Sequence, residues 1–304
     1  MSVNFVYIAF VLRPPRGKNR TALRATSLIL VLSLSGCSIQ HLAIRSLTDV
    51  FENGFEVLNE ESDLKLAEEA IGGDLKTLEG ALRTDPENDR LLLLLTRGYS
   101  GYALGFVEDD DPARAREMYS RARDYGLLLL RRNKSFRESL KGSLEEFERA
   151  LGTLEDIPAV FWTAMGWSSY INLSKDDPAA VAEMPRVVAM MRYVLARNEN
   201  YYYGGAHLFF GVWFGNRPAL LGGNPDSSRY HFDRCIEIGK GKFLLPYVYY
   251  ARYYAVQVQE SPLFRALLEK VLSAPLDVLP EQRLVNSISK RKAEKYLNEA
   301  EAYF

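Results

Sequence analysis

Apolar residues recur along this chain at helical spacing, in long segments that follow one another, and β-strand alternation is scarce. This spacing puts the apolar side chains on one face of an α-helix. The segments predict helices near residues 40–58, 63–83, 88–107, 112–131, 134–152, 157–172, 178–196, 205–220, 225–239, 244–258, 262–273 and 281–303. Short connections make sequential helices antiparallel neighbours. The pattern predicts an all-α fold.

An Asp, Asn or Ser followed by Pro recurs between these segments. The first residue of such a pair can cap a helix N-terminus, and Pro at the first helical position loses no hydrogen bond, because that N–H has no intrahelical acceptor. We therefore expect a helix to begin at each pair. The pairs are Asp85-Pro86, Asp111-Pro112, Asp177-Pro178, Asn224-Pro225 and Ser261-Pro262.

Small and aromatic residues alternate on both sides of the turn at residues 109–112. They are Ala103, Phe106, Ala115, Tyr119 and Ala122. This spacing resembles the tetratricopeptide (TPR) repeat, in which small residues let paired helices approach and aromatic residues fill the gaps. Ser228, Phe232 and Cys235 repeat its second half. We expect residues 37–304 to form a single elongated or compact domain of TPR-like antiparallel helix pairs, since no linker-like stretch divides them.

The start of the chain has a different composition. Residues 1–48 contain no Asp or Glu, and basic residues precede a short apolar run at 28–32, too short to span a bilayer. Leu34-Ser35-Gly36-Cys37 resembles the lipobox of bacterial lipoproteins, in which the Cys is diacylated. We expect residues 1–36 to be a signal peptide and Cys37 to carry lipid. An ordinary cleaved signal and a short anchor helix are the alternatives.

Removal of this leader takes away basic residues and no acidic ones, so the remaining chain is acidic. This argues against nucleic-acid binding, which needs a basic face. Besides Cys37 only Cys235 remains, so no intrachain disulfide is possible in the exported protein. We expect Cys235 to be a small buried hydrophobic residue.

Few residues suggest catalysis. His207 and His231 have no accompanying HExxH, CxxC or carboxylate–His pattern, so we expect structural hydrogen bonds rather than metal binding. Residues 98–101 and 166–169 miss the pattern of a serine nucleophile elbow. The acidic run 108–111 could bind a cation, but we interpret it as a solvated turn with a helix cap. The sequence predicts no enzyme, no metal site and no cofactor.

Aromatic residues concentrate between positions 201 and 254. Adjacent aromatic residues on a helix point to different faces, so one packing seam cannot bury them all. Some are expected to line a groove, a channel or an interface, and thick packing between helices is the alternative. The residues that we select for such a groove or channel are Tyr203, Phe210, Trp213, Tyr250 and Tyr254.

A run of short segments in the second half of the chain is distinctive. The segments are Gly-Gly-Ala-His-Leu-Phe-Phe-Gly at 204–211, Arg-Pro-Ala-Leu-Leu-Gly-Gly at 217–223, Tyr-His-Phe-Asp-Arg-Cys-Ile at 230–236, and the stretches 241–244, 250–255 and 263–268. In this order and spacing they resemble the T-component of tripartite ATP-independent periplasmic (TRAP) transporters, a family of TPR-containing lipoproteins. The likeness is strongest over about 160–275.

The resemblance implies an accessory protein that works beside a TRAP substrate-binding protein. It implies a homotrimer whose protomers each contain a channel, with the substrate-binding protein docked over it. The ligand is expected to be small, and either apolar or an organic acid. Ser38 after the lipidated Cys resembles an outer-membrane signal, so the expected location is the periplasmic side of that membrane. A TPR scaffold lipoprotein for outer-membrane assembly or secretion is the alternative, and an enzyme is a third class.

Overall fold

The computed structural model of the protein describes residues 44–304, and within that range it contains helices and no β-strand. The predicted signal peptide and lipobox, with Cys37 and Ser38, lie outside the described residues. The first helices are α1 at residues 44–59, α2 Leu64–Thr84, α3 Asp89–Tyr102, α4 Pro112–Leu130, α5 Lys134–Ser139, α6 Leu144–Leu151 and α7 Ile157–Asn172. The others are α8 Pro178–Ala182, α9 Met184–Arg197, α10 Tyr201–Gly215, α11 Pro225–Ile238, α12 Leu245–Tyr249, α13 Ser261–Ser273 and α14 Arg283–Asn298. The all-α prediction is confirmed.

Some predicted helices are divided or shorter in the structure. The segment 134–152 forms two helices, because Ser143 starts α6 with a capping box in which its hydroxyl and the Glu146 carboxylate each accept a backbone N–H. The segment 178–196 breaks at Glu183, and α9 has Pro185 in its first turn. The helix predicted at 205–220 ends at Gly215, before a loop at 216–224.

The Asp/Asn/Ser-Pro rule holds at most of its sites. Asp111, Asp177 and Asn224 each cap a helix, with a side-chain oxygen accepting a backbone N–H of the first turn. The prediction for Asp85-Pro86 is wrong, because the buried Asp85 closes α2 and Asn88 caps α3 instead. At Ser261-Pro262 the serine is already the first helical residue, so it makes no cap.

The predicted TPR-like pair forms where it was expected. Helices α3 and α4 pack against each other, and Ala103, Ala115, Tyr119 and Ala122 are buried between neighbouring helices. After Tyr102 the chain widens into a π-helical turn at Ala103–Val107, and a second one follows α12 at Tyr250–Ala255. π-Helical turns are rare in proteins, but those that do occur are frequently found at functional sites.

The last helix closes the array. Leu284 and Ile288 of α14 belong to the hydrophobic cluster formed by α2, α3 and α4, whereas Ala293 and Tyr296 join the cluster around α11, α12 and α13. One helix thus connects the two ends of the chain, and the domain is compact rather than an open solenoid. None of the helices within residues 44–304 combines the length and the apolar character that crossing a membrane requires.

Candidate functional site

Two adjoining cavities lie inside the helical array. The first contains about 1030 Å³ of empty space, including its open part, and its walls are mostly apolar. The second contains about 780 Å³ and has more polar walls. Leu104, Met165, Ser169 and Leu208 line both cavities, so these residues lie between the two cavities. The comparable inner volume is about 120 Å³ for each cavity, close to that of an engineered protein cavity that binds benzene.

Two helices set the direction of the paired cavities. On α7, Trp162 lines only the first cavity and Asn172 only the second, with Met165 shared between them. Along the α3 side, Arg97 lines the first cavity and Glu108 the second. Because a helix rises 1.5 Å per residue, the ten positions from Trp162 to Asn172 cover roughly 15 Å. The two cavities therefore lie end to end along α3 and α7.

An arginine without an ion-pair partner lies at the end of the first cavity. The Arg97 guanidinium is 5.6 Å from the ring centroid of Trp162, a cation–π geometry. Within residues 44–304 no carboxylate is within ion-pair distance of it. The buried Ser100 hydroxyl beside it finds no hydrogen-bond partner in the described part of the chain. Both groups are free to bind the polar end of a ligand.

The second cavity has a similar arrangement. The Arg217 guanidinium stacks on Trp213 with its central carbon 3.2 Å from the ring centroid, and burial lowers the pKa of Arg217. Here too no acidic side chain of the described segment forms an ion pair with the arginine. Tyr249 and Tyr253 line the same cavity, and burial raises the pKa of Tyr253 to about 12, so its phenol stays neutral. Cation and hydroxyl groups together can bind an anionic or hydroxylated group.

A left-handed turn shapes the wall of the first cavity. Tyr202, Tyr203 and Gly204 have φ angles of 46°, 56° and 79°, and only the glycine adopts such angles without strain. The turn puts the Tyr202 ring 4.7 Å from Trp162 and the Tyr203 ring 5.0 Å from Phe243. Non-glycine residues with positive φ cluster at functional sites because the surrounding structure must enforce them.

The structure separates the aromatic residues selected from the sequence. Trp213 lines the second cavity, and Tyr203 is half-buried beside the first cavity with its hydroxyl 3.4 Å from Glu281 Oε1. Phe210 and Tyr250 are buried in the core and line neither of these cavities, and Tyr254 packs edge-on to Tyr250. The structure thus brings one of the selected residues, Trp213, into the walls of a cavity.

Sequence reasoning missed the two arginines. Arg97 could have been recognised from the sequence, because it is the only charged residue between positions 91 and 107, in an otherwise apolar helical segment. A lone charge on such a segment faces either solvent or a polar site. Arg217 was harder to recognise, because it follows the end of α10 and reaches Trp213 only through the conformation of the loop.

The two histidines form a structural pair. The Nδ1 atoms of His207 and His231 are 2.8 Å apart, and His207 Nε2 is 3.4 Å from a Glu199 oxygen. Burial lowers the pKa of His207, and burial together with His207 lowers that of His231 to about 4. Both rings are therefore neutral at pH 7 and share one proton in their hydrogen bond, as expected for structural histidines. Cys235 is fully buried, as predicted.

The acidic run at 108–111 differs from the prediction. Asp110 is exposed and Asp111 caps α4, but the side chains of Glu108 and Asp109 are mostly buried and hold the ammonium group of Lys292 at 2.9 and 2.6 Å. The interpretation of a solvated turn is wrong for Glu108 and Asp109, because α14 places Lys292, which is distant in the sequence, against both carboxylates. The pair anchors α14 to the end of α3.

These observations define a compact all-α protein that encloses ligand-sized cavities. The family model of the TRAP transporter T-component matches residues 60–304 of the chain. The chain belongs to this family, which confirms the family named from the sequence and associates the protein with a TRAP transport system. A search among curated proteins gives no match to the chain.

Proposed function

We propose that this protein is a lipid-anchored, periplasm-facing accessory component of a TRAP transport system. In this role it docks a substrate-binding protein, and its paired cavities form a channel for a small ligand. The observation that carries the proposal is a pair of neighbouring cavities that share Leu104, Met165, Ser169 and Leu208 as lining residues, inside a chain of the T-component family. In the proposed channel the cavities join at these residues, and such a passage serves transport rather than a purely structural scaffold.

The walls of the cavities favour a ligand with an apolar body and an anionic group. The first cavity offers aromatic and aliphatic surface, and burial of such surface stabilises a ligand by about 25 cal/mol per Å². Arg97 and Arg217 supply positive charge at the two ends, each without a carboxylate partner in the described residues. An organic acid with an apolar body matches both features.

Anchoring, location and assembly complete the proposal. The signal peptide at 1–36 directs export and is removed, and the lipidated Cys37 then holds the domain 37–304 at the membrane, with Ser38 favouring the outer membrane. Three copies assemble, as the family resemblance implies. No nucleic acid, metal or enzymatic step is part of this function.

Capture of the partner tests the proposed function. We expect the full-length protein, extracted in mild detergent, to bind the substrate-binding protein of the same TRAP system with one copy per protomer. Light scattering of the complex gives the stoichiometry and the oligomeric state. A substrate-binding protein of an unrelated transporter serves as the control. Periplasmic extract serves as the source of ligand. The proposal would be contradicted if the protein failed to bind the partner both with and without this extract.

Blocking the junction of the cavities tests the channel. Met165→Trp puts a large ring between the two cavities, so it should exclude a ligand from the proposed junction. The probe is 8-anilino-1-naphthalenesulfonate, an anion with an apolar body. We expect fluorescence titration to show its Kd raised about tenfold or more, which corresponds to about 1.4 kcal/mol.

A matched control separates this effect from general damage. Leu128→Trp adds the same ring to a half-exposed position of α4 that lines neither cavity. The control should bind the dye as the wild type does, and both variants should melt within about 4 °C of it. Equal dye binding by Met165→Trp and wild type would show that the dye does not occupy the junction.

A further inference from the structure

The loop at residues 216–224 holds two leucine side chains in solvent. Leu220 is 98% exposed and Leu221 is 70% exposed, and together they are the most exposed pair of adjacent large apolar residues in the described part of the chain. Single exposed apolar residues are common on protein surfaces, but an adjacent pair at the tip of a loop forms a protruding apolar surface.

Hydrogen bonds fix the conformation of this loop. The N–H groups of Leu221 and Gly223 both donate to Pro218 O, at 2.9 and 3.1 Å, and Asn224 N donates to Phe214 O at 3.0 Å. Gly222 has a φ of 85°, which a residue with a side chain rarely adopts. The leucines are thus presented by an ordered turn, and a partner that binds them does not have to order the loop first.

The loop borders the second cavity. Asn216 and Arg217, its first residues, line that cavity, and Trp213 beneath Arg217 does so as well. A protein that covers Leu220 and Leu221 therefore lies next to the opening formed by these residues.

The loop lies far from the point where the chain leads to its lipid anchor. The start of α1 is beside the start of α3, since Asn88 donates to the Thr48 hydroxyl at 3.2 Å and Arg45 is 3.9 Å from Asp85. The second cavity instead includes Glu108, beyond the other end of α3. With 1.5 Å per residue, the two ends of this 14-residue helix are roughly 20 Å apart. The start of the described chain and the loop are at opposite ends of α3.

We infer that Leu220 and Leu221 are the docking contact for the soluble substrate-binding protein, which covers the opening of the second cavity. This inference rests on the proposed function and adds the face and the residues. Because the described chain begins at the opposite end of α3, the proposed lipid anchor precedes that end and leaves the loop on the side of soluble partners. The matching surface of the partner is an apolar pocket that takes two adjacent leucine side chains, beside the ligand cleft.

A double substitution tests the docking contact. Leu220→Ser together with Leu221→Ser removes the apolar surface but leaves Arg217 and the glycine turn intact. In the full-length protein in detergent, we expect the Kd for the substrate-binding protein of the same system, measured by interferometry, to rise at least tenfold. The dye should still bind the cavities with wild-type affinity, because neither leucine lines them.

The control makes the same two leucine-to-serine changes elsewhere on the surface. Leu66→Ser together with Leu128→Ser changes two exposed leucines on α2 and α4, and we expect it to bind the partner as the wild type does.

The outcomes separate the two proposals. Wild-type affinity in the loop variant would overturn the docking contact while leaving the proposed function standing. Failure of the wild-type protein to bind the partner would overturn the proposed function itself. If the loop variant loses its oligomeric state in light scattering, the leucines contact a second copy of this chain. If it loses binding to anionic phospholipid vesicles, they contact the membrane. Either result would overturn the docking contact.

Discussion

Replacing Lys292 with Ala is expected to lower the free energy of unfolding by about 3–5 kcal/mol, the range for breaking a buried ion pair. Lys292 is fully buried on α14, and its ammonium group contacts Glu108 and Asp109. Tyr119 also donates to Glu108. Removing the cation leaves two mostly buried carboxylates next to each other without their counter-charge, and like charges at this distance repel strongly in a medium of low polarity.

The protonation state of Lys292 supports this expectation. Burial by itself lowers the pKa of the ammonium group, but the two carboxylates outweigh burial and raise the pKa above its ordinary value. A group with a raised folded-state pKa contributes its full stability below the unfolded-state pKa and loses it as the pH rises through the folded-state pKa. The contribution is therefore fully present at pH 7 and declines only in strong alkali.

Chemical denaturation at pH 7 measures the effect, with Lys290→Ala as the control. Lys290 is on the same helix, and its ammonium group donates to Leu272 O at the surface, so its loss should cost less than about 1 kcal/mol. Equal unfolding midpoints for the two variants would mean that α14 is not anchored through Lys292.

Replacing Cys37 with Ser is expected to abolish membrane attachment. The thiol of a lipobox Cys carries the diacylglyceryl group, and each buried CH₂ of such chains contributes about 0.8 kcal/mol to membrane binding. In the host cell the wild-type protein should incorporate labelled palmitate and partition into the detergent phase. The Ser variant should do neither, because a hydroxyl cannot accept the lipid.

A control on the neighbouring position makes this test specific. Ser38→Ala leaves the acylated residue intact and should retain both the label and the detergent partition. A Cys37→Ser variant that stays membrane-bound and matures to the wild-type size would show that the N-terminal segment is held by another means, such as an uncleaved anchor helix.

Much of the fold could be predicted because a helix is specified largely by residues that are close together in the sequence. Apolar spacing identified the helical segments, and Asp111, Asp177 and Asn224 were recognised as caps because a cap bonds only to residues within the same turn. The errors arose where a distant contact decided the local outcome. Asp85 closes a helix instead of opening one, since its carboxylate is buried against Asn88.

The candidate site was far less predictable. The aromatic segment was identified, but its spacing could not separate Phe210, which is in the core, from Trp213, which lines a cavity. Both lie in the regular part of α10, three residues apart and on nearly the same face, so only the packing of the surrounding helices decides which side chain is covered.

The sequence by itself determined the all-helical class and the family, because periodicity and short motifs each depend on neighbouring residues. Only the tertiary structure decided which charges are paired. Lys292 meets Glu108 and Asp109 across more than half of the chain, whereas Arg97 and Arg217 remain beside their tryptophans without an acidic partner among the described residues. Ion pairs and cavities depend on which helices pack together, and packing is set by the whole core rather than by any one segment.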